Sequence, residues 1–215
     1  MERRQEQGLC PGDVNLETVR PWTLWQTEVE RRIGAQCARR AIRWRAWASI
    51  RGWLSPVERQ NGWQLADVNG ETTPYGVQHV LGRALWDADA LRDAVRPYVV
   101  EPLGAPEAVR VVDETGFRKK GQQSAGVTRQ ESGTAGRVDN GHIGVLLPSA
   151  SPQGHRLLDR ELSLPTAWTT DEARCQRAGI PAERPLATQP QLAPQMRQRA
   201  FDEGVPAAWV TGESV

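Results

Sequence analysis

The sequence predicts an α+β chain, with an all-helical N-terminal part followed by a mixed α/β domain. Three observations carry this reading. Over residues 29–54 apolar residues recur at a spacing of mostly three to five, close to the helical period, and cap and turn residues mark further helices to about 103. From residue 109 onward, short runs of Val, Leu and Ile alternate with glycine-rich turns, the pattern of strands. Between them, "VEPLGAPEA" at 100–108 concentrates proline and glycine, and the domain boundary is set there, at 103/104.

The helical part divides as follows. Residues 1–20 read as a flexible N-terminus. A helix begins within "PWTLWQTEVE" and continues to about residue 54, with Val29, Ile33, Cys37, Ile42, Trp47, Ile50 and Leu54 as its apolar positions. Arg39, Arg40 and Arg43 make one flank basic, either as a solvated face or as a phosphate-facing one. Ser55, Pro56 and Glu58 resemble an N-cap followed by its first turn. That second helix stops at Asn69-Gly70. Thr73 and Pro74 then open a short helix carrying Val77, Val80, Leu81 and Leu85. Two short helices joined by "VNGETT" suggest a helix-turn-helix. In that reading Tyr75, Gln78, His79 and Arg83 lie on the exposed face and meet DNA, although an ordinary helical hairpin gives the same pattern. "DADALRDAVRPYVVEPLG" is a third helix, expected to end near Pro97.

In the second part, "AVRVVDE" is a strand with Asp113 at its end. "QSAGVTRQ", "HIGVLLPSA" and "GHRLLDREL" are extended. A short helix starts near Thr170, and another ends at Gly204. "AAWVTGES" is a last strand with Glu213 just after it. This order, with acids at two strand ends, is that of a ribonuclease H-like core. Paired carboxylates there bind Mg2+ or Mn2+, hard ions that prefer oxygen ligands. Two such ions activate water and stabilise the leaving oxygen of a phosphodiester. "FRKK", bracketed by Gly116 and Gly121, places Arg118, Lys119 and Lys120 near Asp113, and Arg129 follows on the next strand. Such cations suit a polyanion. A solvated strand end and loop remain the simpler alternative. Asp159 and Glu161 flank Arg160 and read as structural.

Bulk composition narrows the classes. The chain has 215 residues, 39% hydrophobic, with nine tryptophans that strengthen a sparse core. Net charge is +1, so overall charge does not choose a partner. The 25 arginines against two lysines fit a GC-rich coding bias, and equally fit phosphate contacts. Cys10, Cys37 and Cys175 have neither disulfide-framework nor zinc spacing, which fits a reducing compartment. No apolar run spans a membrane and no signal h-region is present, so a cytoplasmic location is expected.

Four blocks carry a family resemblance: "LSPVERQNGWQLADVNGETTPYGVQHVLGRALWDADALRD", "VVDETGFRKKGQQSAGVTRQESGTAGRVDNGHIGVLL", "SPQGHRLLDRELSLPTAWTTDEARCQRAGIP" and "GVPAAWVTG". From Arg45 to Val215 the chain resembles the IS701-type transposases of bacterial insertion sequences, in the DDE group related to the IS4 transposases. The resemblance implies that Asp113 is the first catalytic and metal-binding acid and that Glu213 stands where the family has its second, an aspartate. It implies a third acid, a glutamate beyond Val215, so the ribonuclease H-like domain (104–215) is expected to be partial and this chain a truncated, inactive form. The extra methylene of Glu213 also displaces a positioned carboxylate by about 1 Å. Implied partners are double-stranded DNA, as terminal inverted repeats and target, and self-association or a full-length transposase. The alternative is a catalytically dead DNA-binding protein that occupies element ends or inhibits a full-length copy.

Overall fold

The computed structural model describes residues 16–132, 136–182 and 187–212. The described residues form two compact units that divide between Val95 and Arg96. The division falls inside a helix, α5 (Ala88–Leu103), which ends at the turn where the domain boundary was expected.

The first unit holds α1 (Leu16–Ala35), α2 (Arg40–Trp53), α3 (Gly62–Val68), α4 (Tyr75–Gly82) and the start of α5 (Ala88–Leu103). Residues 16–20, expected to be loose, belong to α1, and residues 1–15 lie outside the described residues. The single helix expected to residue 54 is two. α1 closes with Gln36 N–H on Ile33 O (3.1 Å) and Cys37 N–H on Gly34 O (3.2 Å), and Arg39 is extended. The turn buries Ile33, Cys37 and Ile42 together in the core, a tertiary gain that outweighs helix continuity.

Ser55 does not cap α3. Its hydroxyl donates back to Arg51 O (2.8 Å), at the end of α2. Asn61 is the cap, accepting from Trp63 N–H and Gln64 N–H, each at 3.0 Å. Asn69 ends α3 and donates to Ala48 O (3.1 Å) and Leu65 O (2.6 Å), tying α3 to α2, while Gly70 takes φ +69 for the turn. Pro74, not Thr73, occupies the position before α4. Leu65, Ala66 and Val77 form the small core between α3 and α4. α5 runs past Pro97 to Leu103. Arg96, next to that proline, is buried in the second unit, where it donates to Leu158 O (3.1 Å) and pairs with Glu203. This anchoring overrides the local break signal.

The second unit is a five-stranded mixed sheet: β1 (Val109–Arg118), β2 (Thr128–Ser132), β3 (Arg137–Ser151), β4 (Gly154–Leu162) and β5 (Trp209–Gly212). β1 is central, antiparallel to β3 and parallel to β5. The far edge of β3 is shared by β2, along 137–141, and β4, along 144–151. The helix expected near Thr170 is α7 (Glu172–Arg177), capped by Asp171, and a shorter one that was not expected, α6 (Thr166–Thr169), precedes it. α8 (Gln189–Asp202) packs on one sheet face, where Leu192, Met196 and Ala200 meet Val145, Leu147 and Leu158. Asp159 and Glu161 are structural, as expected. Arg199 of α8 pairs with Asp159 (2.9 Å) and Glu161 (2.7 Å) at the edge of that core.

Candidate functional site

β1 continues through Asp113 to Arg118, so Asp113 is in mid-strand and not at a strand end. The polar segment "ETGFR" looks like a turn, but it stays extended because β3 pairs with it residue by residue, from Asp113↔Leu146 to Arg118↔Gly141. Alternation then separates two adjacent acids. Asp113 is exposed, on the sheet face opposite α8, and its Oδ1 accepts from Glu114 N–H at 2.8 Å. Glu114 shares the face of Val112 and Val145, is half-buried, and has its pKa raised by burial and then by Asp113.

The parallel register of β5 reaches Val112↔Gly212. Glu213 follows in sequence and lies outside the described residues. A hard divalent ion prefers carboxylate oxygen, and Asp113 offers an exposed carboxylate for one. Among the described residues no group of three His, Cys, Asp or Glu is gathered as for a metal ion. Leu146 and Arg160 continue the cross-strand row that begins at Asp113, a placement that the sequence did not signal.

The extension of β1 moves the basic loop. Lys119 is six residues beyond Asp113, so the two are about 20 Å apart along the strand. The loop therefore cannot reach a group held at Asp113. It is also built. Lys119 N–H donates to Asn140 O (2.9 Å), and Asn140 Nδ2 donates to Lys119 O (2.7 Å) and Gly121 O (3.0 Å). Arg129, exposed, is paired with Asn140 across β2 and β3. Arg118 is engaged by Asp139 at 2.8 Å, and Arg137 approaches the same oxygen at 3.4 Å. Lys119 and Lys120 are exposed. Behind the loop, Phe117 and His142 pack edge to face at 5.4 Å, and the His142 pKa is lowered by burial and then by Lys119.

In the helical unit, Tyr75, Gln78 and His79 form one exposed face of α4, with Arg83 exposed just past its end. Val77 and Val80 are buried on the other face. The ion pair Arg45–Glu71 (3.2 Å) lies against Gly76, where a Cβ would meet Glu71 Oε2 at 2.3 Å. No helix among the described residues is long and apolar enough to cross a membrane.

Over 94 residues the chain is 31% identical to a protein of Microchaete diplosiphon described as a probable transposase for insertion sequence element IS701. That match covers 44% of this chain and 25% of the relative, so the chain aligns with about a quarter of the relative's length. No solved structure matches. The family model described as DDE superfamily endonuclease matches residues 27–214, a span that includes α4, the basic loop and Asp113, and the chain belongs to that family.

Proposed function

We propose that this chain is a DNA-handling part of an insertion-sequence transposase, with a DNA-contacting helical unit and a ribonuclease H-like sheet carrying the first catalytic acid. The observation that carries this is Asp113, an exposed carboxylate on the central strand of a mixed sheet whose parallel neighbour ends beside it. The order β4-β3-β1-β5, with α8 between β4 and β5, supports the ribonuclease H-like assignment. Asp113 and Glu213 are the metal-holding pair in this reading. A bound Mg2+ or Mn2+ would supply Lewis acidity and an activated water for phosphodiester hydrolysis. The chain's own residues do the rest. The clamped loop of Arg118, Lys119 and Lys120, with Arg129, grips backbone phosphates away from the reacting bond. The α4 face of Gln78, His79 and Arg83 enters a groove at the element's terminal inverted repeats.

The second reading is binding without cleavage, in which the protein occupies element ends or hinders a longer transposase. The distance between the basic loop and Asp113 favours keeping it, because such binding does not need the acid. One experiment separates the two. The full chain is incubated with DNA carrying the element ends, with Mg2+ or Mn2+, and nicking and gel retardation are both measured. Nicking that disappears in Asp113→Ala, with retardation retained, supports cleavage. Retardation without nicking supports the second reading, and absence of both at low salt removes the proposal.

A further inference from the structure

Away from Asp113, the opposite face of the sheet holds a second cluster of charge. Arg110 of β1, Ser149 of β3 and Arg156 of β4 form one cross-strand row, through the pairs Arg110↔Ser149 and Ser149↔Arg156. All three are buried, at 5%, 1% and 5% exposure. Arg110 Nη2 donates to Val205 O and Arg156 Nη1 to Leu103 O. These carbonyls belong to the turns after α8 and at the end of α5. Four polar atoms in the row remain without a partner: Arg110 Nε, Arg156 Nε, Arg156 Nη2 and Ser149 Oγ. Among the described residues no carboxylate pairs with either guanidinium.

Native interiors rarely leave such groups unsatisfied. Arginine cannot escape by losing its proton. Burial lowers the pKa of both guanidiniums, and like charge adds to this, from Arg197 on Arg110 and from Arg110 on Arg156. The unpartnered atoms also have a shape. Nε and Nη2 are the side edge of a guanidinium, the two-donor fork that matches two oxygens of a phosphate. Arg110 Nε and the Ser149 hydroxyl supply further donors from the adjoining strands.

The geometry points to an oxyanion site of the phosphate class at Arg110, Ser149 and Arg156, separate from the Asp113 face. The oxyanion is free phosphate or a phosphodiester of bound DNA, since both present the same oxygens. Binding needs a small opening of the turns at Leu103 and Val205 that roof the row. It neutralises buried like charge, so it stabilises the second unit.

The test is calorimetric titration of the full chain with inorganic phosphate at constant ionic strength, with melting temperature followed in parallel against chloride. Saturable binding of phosphate is expected. It should weaken about tenfold or more in Arg156→Met, through loss of charge-assisted hydrogen bonds. Ser149→Ala serves as a milder variant in case the first does not fold, and should weaken binding by a smaller factor. A saturating DNA duplex that blocks phosphate binding identifies a backbone phosphodiester as the occupant, while independent binding of both identifies a free anion. No saturable phosphate binding to the wild-type chain, or equal affinity in a folded variant, overturns the proposal.

Discussion

Asp113 and Glu114 are sequence neighbours in different surroundings, because successive side chains of a strand leave opposite faces. Asp113 is exposed and makes no contact that the core needs, so Asp113→Ala should change folding stability by no more than about 0.5 kcal/mol in urea denaturation. The same change should abolish any metal-dependent nicking. Glu114 behaves differently. Its folded pKa is raised, so the folded state binds this proton more tightly than the unfolded one. Its contribution to stability is present below the unfolded pKa and is lost as pH rises through the folded pKa. Glu114→Gln should therefore flatten the fall in stability across that acidic-to-neutral window, measured as denaturation midpoint against pH. Asp113 was legible as a candidate because an acid directly follows an apolar Val pair. Its mid-strand position was not legible, since "ETGFR" has turn composition and its extension depends on pairing with β3, far away in sequence.

At the level of elements, close contacts make individual residues hard to replace. A Cβ on Gly52 of α2 would meet Leu65 Cδ2 of α3 at 2.7 Å, and Leu65 is fully buried. Alanine there gains up to about 1 kcal/mol of helix propensity but overpacks the core at about 1–3 kcal/mol. Gly52→Ala should thus be net destabilising, with a lower melting temperature. Gly141 of β3 is more restricted, since its Cβ would lie 2.6 Å from the Phe117 carbonyl oxygen, a backbone atom. In the α8–β4 contact, Asp159 is buried and bound by Arg199. Asp159→Ala leaves that arginine with Glu161 alone, and loss of the charged hydrogen bond should cost about 1.5–3 kcal/mol in chemical denaturation. The caps show why boundaries were partly illegible. Ser55 and Asn61 are both good cap residues, and the choice between them was made by the end of α2, which takes the Ser55 hydroxyl for itself.

The whole chain is nearly neutral, at +1, yet it carries local cations on its surface. If Arg118, Lys119 and Lys120 each neutralise a backbone phosphate, replacing all three with alanine should reduce the slope of log affinity against log salt by about 2.7. A titration of duplex DNA across salt concentrations measures this. The order of elements in the sheet unit was legible because each strand run is separated from the next by turn residues. The length of α5 was not, since Pro97 reads as its end while the helix continues to Leu103 with Arg96 buried in the second unit. Asn140, which holds the basic loop through two carbonyls, is followed by Gly141, the pair most prone to chemical ageing. Extended backbone paired on both sides opposes the cyclic imide that such ageing requires. Should hydrolysis convert the amide to a carboxylate, two donors are lost and a negative charge appears beneath Lys119. Sample age is then itself a variable in the charge of this loop, and an added-mass peptide spanning Asn140 would report it.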